Sequence, residues 1–132
     1  MARILVIEED YSLRYVIGQA LAGDGHEVVE APTADEGLRL WHAGGADLVL
    51  TDLLMPEARG IAVILELRAF AKGLPIVAMP AAQITRTLDL LEETRLLGTI
   101  GLLPKPFSLG QLLRAVAAAL SGEPTSDRIR SA

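Results

Sequence analysis

Cysteine is absent from the 132 residues, so disulfides and thiolate metal sites are excluded and nothing points to an oxidising compartment. Aromatic residues make up only 4% of a chain that is 51% hydrophobic, so its core has to be built from Leu, Ile, Val and Ala rather than from rings. No cluster of Lys and Arg offsets the formal net charge of −5, and neutralising phosphates takes clustered cations; direct nucleic-acid binding is not expected. Long apolar runs are missing too. The N-terminal Ile4-Leu5-Val6-Ile7 has four consecutive apolar residues before Glu8, too few for a signal peptide or a membrane span. The expectation is a cytoplasmic protein without a membrane partner. Neither G-x-G-x-x-G nor G-x-x-x-x-G-K-[ST] occurs, which weakens dinucleotide and P-loop readings, and no internal repeat is present.

What is present is a regular alternation. Leu48-Val49-Leu50-Thr51-Asp52 is an apolar run ending on a carboxylate, bounded by Gly44-Gly45 and Pro56, and reads as a strand buried on both faces of a parallel sheet. Four more strands are expected at Ile4–Ile7, Glu27–Ala31, Pro75–Met79 and Ile100–Leu103. The charged flanks of Glu27–Ala31 suit a sheet edge. Helical spacing predicts helices over about 12–22 (Leu13, Val16, Ile17, Ala20 and Leu21 inward), 34–43 and from Gly60 to Gly73 (Ile61, Ile64, Leu65 and Leu67). Two more fall over about 82–97 and after Ser108 (Leu109, Leu112, Leu113, Val116 and Leu120). Thr33 with Glu36 carries the signature of a capping box. Five strands alternating with five helices imply an α/β fold with a doubly wound parallel sheet and right-handed crossovers, one domain over residues 1–121 followed by a tail or truncated linker at 122–132.

In such sheets ligands bind beyond the carboxyl ends of the strands. Glu8 and Glu9 after the first strand, Asp52 after the third and Lys105 after the fifth would converge there. Crowded carboxylates repel one another, and a hard divalent cation with oxygen ligands relieves that, with a lysine as a point charge for an anion. This combination suits Mg²⁺-assisted phosphoryl transfer.

Three motifs, Glu8-Glu9, Asp52-Leu53-Leu54-Met55-Pro56 with Gly60, and Lys105-Pro106-Phe107, make residues 3 to about 121 resemble a receiver domain of bacterial two-component signalling, a response regulator. The resemblance implies a flavodoxin-like (CheY-like) sheet of order 2-1-3-4-5. It implies Asp52 as acceptor of a phosphoryl group from a sensor histidine kinase or phosphotransfer protein, and Lys105 as a contact to the phosphoryl oxygens. Glu9 would be an Mg²⁺ ligand, Glu8 its water-mediated neighbour, and the Leu54 backbone carbonyl a third protein ligand. A cis Lys105–Pro106 bond is also implied. Such a domain signals to a downstream protein target or output domain, sometimes as a homodimer through the 82–97 helix, the last strand and the last helix. It promotes its own phosphorylation without being a conventional enzyme.

The chain departs from the family at its switch. Pro80 stands where a Ser or Thr hydroxyl normally meets the phosphoryl group, leaving the N–H of Ala81 as the local donor, and Leu102 stands where the family usually has Tyr or Phe. Glu9 replaces the commoner Asp. These departures keep open a second reading, a pseudo-receiver that docks partners independently of phosphorylation or switches weakly. An aspartyl-phosphate hydrolase ranks last, because Leu54 occupies the position of its second acid. Asp10 reads as a helix-start acid. His26, His42, Arg128 and Arg130 read as solvated, and Trp41 as core.

Overall fold

The apolar run ending at Asp52 forms a strand, β3 (Leu48–Asp52), and all five of its residues are buried. A strand covered on both faces requires helices on both sides of its sheet, and the chain is wound accordingly. The computed structural model describes residues 1–53, 59–81 and 101–122. In chain order these form β1 (Arg3–Ile7), α1 (Tyr11–Gly23), β2 (Glu27–Ala31), α2 (Ala34–Gly44), β3, α3 (Arg59–Phe70), β4 (Ile76–Met79), β5 (Gly101–Leu102) and α4 (Leu109–Ser121). All neighbouring strands are parallel, in the order β2-β1-β3-β4-β5. The flavodoxin-like α/β fold expected from the sequence is the one found, with β2 at an edge. The helix expected over 82–97, the Leu54 carbonyl and the tail from 123 lie outside the described residues.

Alternation along β1 divides the core into two layers. Leu5 and Ile7 pack with Ile61, Ile64, Leu67 and the rest of the α2–α3 side, while Ile4 and Val6 pack with Ile17, Leu21, Leu112 and Val116 on the α1–α4 side. Among the described residues no aromatic side chain is buried, in keeping with the aliphatic core expected from the composition. Trp41, expected in the core, is only half-buried and packs at the margin of the α2–α3 layer, 6.2 Å from the exposed Phe70 ring.

The helices start where side chains satisfy their first N–H groups. The Asp10 carboxylate accepts from the Leu13 N–H and starts α1. Ser108 and Gln111 exchange both bonds of a capping box at α4. At α2 Thr33 accepts from the Glu36 N–H, but the Glu36 carboxylate turns to Arg39 instead of reaching back to the cap. Helical spacing overestimated the buried stripes: Val16, Leu65 and Leu109 are 45%, 45% and 50% exposed. α3 stops at Phe70, three residues before Gly73, and the Arg68 guanidinium reaches forward to donate to the Leu74 carbonyl beyond it.

Candidate functional site

Register alone brings the site together. Ile7 pairs with Thr51, Thr51 with Ala78 and Ala78 with Leu102, one row across four adjacent strands. The next residues along β1 and β3 are Glu8 and Asp52, so two carboxylates at the same height leave neighbouring strands. Asp52 is still paired to Met79 in the ladder, while Glu8 donates its N–H to the Ala31 carbonyl of β2 at 3.0 Å. Glu8 is 1% and Asp52 3% exposed.

Lys105 joins them from beyond β5. Its N–H donates to the Pro80 carbonyl at 2.8 Å, and the Lys105–Pro106 peptide is cis, as the family resemblance implied. The ammonium Nζ lies 2.9 Å from Glu8 Oε1 and 3.3 Å from Asp52 Oδ1. The other Glu8 oxygen, Oε2, accepts from the Asp10 N–H at 3.0 Å. Burial pushes the Glu8 carboxyl above the ordinary glutamate range and the charge of Asp52 adds to the push; the Lys105 ammonium and the Asp10 N–H oppose it without cancelling it. For Lys105, burial works against the ammonium, but its bonds to Glu8 and the charge of Asp52 outweigh that and hold its pKa above the usual lysine value. Among the described residues, one ammonium thus faces both carboxylates.

Of the residues singled out from sequence, Glu8, Asp52 and Lys105 come together. Glu9 is exposed, so the buried partner of Asp52 is the first acid of the pair and not the second. Pro80 is buried directly after β4 and Ala81 half-buried after it. Leu102 is 5% exposed within the α2–α3 layer of the core. Among the described residues no three His, Cys, Asp or Glu side chains stand ready to hold a metal. The donor set nevertheless fits a hard cation by its chemistry: carboxylate oxygens from Glu8 and Asp52, with the Glu9 carboxylate next in the chain and one lysine against the local negative charge. Sequence reasoning missed Arg14, whose Nη1 donates to the Glu8 carbonyl at 2.8 Å. A basic residue in the second turn of a surface helix gives no sequence signal for that role.

A parallel sheet of this order with a buried Asp, Glu and Lys at its carboxyl edge defines the CheY-like receivers of two-component signalling. The chain belongs to the response regulator receiver domain family, which it matches over residues 4–117. It is 36% identical over 120 residues to the DNA-binding transcriptional regulator NtrC of Azospirillum brasilense, covering 91% of this chain and 24% of NtrC. It is 31% identical over 121 residues to the KDP operon transcriptional regulatory protein KdpE of Escherichia coli, covering 91% of this chain and 52% of KdpE. The chain therefore spans about a quarter of the one and half of the other. Among solved structures, a response regulator receiver domain protein of Clostridium thermocellum superposes with a TM-score of 0.80 at 25% identity, covering 92% of this chain and 96% of that one. The chemotaxis protein CheY4 of Vibrio cholerae gives 0.79 at 25% identity, covering 90% and 98%.

Proposed function

We propose that this receiver accepts a phosphoryl group on Asp52 from a sensor histidine kinase or phosphotransfer protein. The observation that carries the reading is the Asp52–Lys105–Glu8 triangle at the carboxyl edge of the sheet. Transfer forms a bond between an Asp52 carboxylate oxygen and phosphorus as the bond from phosphorus to the donor nitrogen breaks. Lys105 supplies a point charge for the phosphoryl oxygens from a position already 3.3 Å from the acceptor. Glu8 holds that ammonium in place, and the Ala81 N–H is a further backbone donor for the phosphoryl group. Mg²⁺ would be held by Asp52, Glu9 and the Leu54 carbonyl, with Glu8 acting through water, and would offset the charge of the transferring oxygens.

The domain is taken as residues 1–121, which agrees with the left-handed Gly122 (φ +84°) capping α4 at Ser121. NtrC is named a DNA-binding transcriptional regulator and is much longer than this chain. That supports the proposal that the signal passes to an output domain or separate protein target and not to nucleic acid held by the receiver itself. Homodimerisation through residues 82–97, β5 and α4 is a further proposal of the same kind. No helix among the described residues is long and apolar enough to cross a membrane.

The second reading, a weakly switched or phosphorylation-independent binding module, is favoured by Pro80 and Leu102, which replace both members of the family's usual switch. Incubation with acetyl phosphate and Mg²⁺ followed by intact-mass measurement separates the two. Gain of one phosphoryl group by the wild type and none by Asp52→Asn supports the acceptor; no gain by either supports the binding module.

A further inference from the structure

Glu8 ends β1 and begins the acidic loop, and its backbone is fastened on both sides. Its N–H goes to β2, as a continuing strand would require, but its carbonyl has left the ladder. A buried carbonyl without a donor is unfavourable, and here the donor is the Arg14 guanidinium at 2.8 Å. The Arg14 side chain is only 12% exposed, and two contacts hold it: its Nε lies 3.3 Å from Glu30 Oε1 on β2, and its Cζ lies 5.4 Å from the centre of the Tyr11 ring. Glu30 reaches Arg14 over Gly18, where a Cβ would stand 2.7 Å from Glu30 Oε2. Glu30 also balances the guanidinium charge, so the loop gains a rigid donor without an unmatched cation near a site that needs to attract one.

We propose that Arg14 is a positioning residue of the acceptor site: by clamping the Glu8 carbonyl, with Glu30 and Gly18 holding it in place, it fixes the acidic loop so that the Glu8 and Glu9 carboxylates are presented to the cation beside Asp52. The inference rests on the acceptor reading. Partners that orient ligands from behind are worth about 10- to 100-fold in metal affinity where they have been removed. Arg14 acts through a backbone carbonyl and falls at the lower end of that range.

The test is Mn²⁺ titration of the full chain, read as loss of the free-ion EPR signal, with cooperative urea unfolding measured alongside. Wild type binds; Asp52→Asn binds more weakly; Arg14→Ala binds about 10-fold more weakly while still folding cooperatively, and Arg14→Lys falls between, because a lysine keeps the charge but cannot reach both Glu8 and Glu30 with a planar fork. A folded Arg14→Ala that binds like wild type overturns the positioning role even if its stability is reduced. Equal binding by wild type and Asp52→Asn overturns the acceptor reading and this inference with it. If Arg14→Ala fails to fold, Gly18→Ala takes its place: it leaves every site residue intact, displaces Glu30, and is expected to weaken Mn²⁺ binding, whereas unchanged binding overturns the role of the clamp.

Discussion

Lys105 and Glu8, 97 residues apart in sequence, meet at 2.9 Å across the carboxyl edge of the sheet. Because Asp52 also lies against the same ammonium, one cation serves two buried carboxylates. Burial is the main reason for the raised Glu8 pKa, and the charge of Asp52 at the same edge adds to it.

Replacing Lys105 by Met takes the ammonium from both carboxylates, and the expected loss of stability at pH 7 is about 2 kcal/mol, less than for a fully buried pair because Lys105 keeps some solvent contact. Glu8 protonates more readily without Lys105, so the deficit shrinks as the pH falls. Urea midpoints of wild type and variant at several pH values check this; a deficit that grows toward acid contradicts it.

Glu8 itself gives a signed pH dependence. Its folded pKa is raised, so its contribution to stability is fully present below the ordinary glutamate value of about 4.3 and is lost as the pH rises through the higher folded value. Wild type should therefore gain on Glu8→Gln as the pH is lowered from 7 toward 4. Parallel unfolding curves with a constant difference would contradict the raised value.

Gly37 lies inside α2, where alanine normally gains about 1 kcal/mol over glycine. A Cβ there would stand 2.5 Å from Ile7 Cδ1 and 2.7 Å from its Cγ1, and Ile7 is fully buried. Gly37→Ala is expected to destabilise by about 1 to 3 kcal/mol, an overpacking cost that exceeds the propensity gain. Differential scanning calorimetry decides the sign.

Gly37 also shows where sequence reading stops. The strands could be read because apolar runs and their Gly and Pro boundaries are local, and Asp52, Glu8 and Lys105 could be placed because strand ends share one edge of the sheet. The helix pattern could not show that α2 approaches β1 closely enough to exclude a methyl group, since that depends on the finished sheet. For the same reason Val16, Leu65 and Leu109 looked inward-facing: period locates a stripe but not how wide the covering surface is. Of the two adjacent acids, sequence could not say that Glu8 turns in to Lys105 while Glu9 stays at the surface. Arg14 escaped notice because its partners are a backbone carbonyl and a side chain on another strand.

At the proposed switch, Pro80 has no hydroxyl to meet a phosphoryl group and Leu102 is buried in the α2–α3 layer of the core. A ligand shifts a conformation only by its differential interaction with the two states, and the missing charge-assisted bond removes roughly 1.5 to 3 kcal/mol of that bias. Loading Asp52 with beryllofluoride should leave the backbone amide shifts of Gly101, Leu102 and Leu103 nearly unchanged, while Pro80→Thr with Leu102→Tyr should make them move. Large shifts there in the wild type would mean that another residue carries the coupling.

The most direct test of Asp52 as acceptor is borohydride reduction after treatment with acetyl phosphate and Mg²⁺, which converts an aspartyl phosphate to homoserine, followed by peptide sequencing in a mass spectrometer. Homoserine at position 52, and nowhere else in the chain, is the expected result. Reduction mapped to Asp47 or another carboxylate, or none in a fully folded sample, would contradict the account.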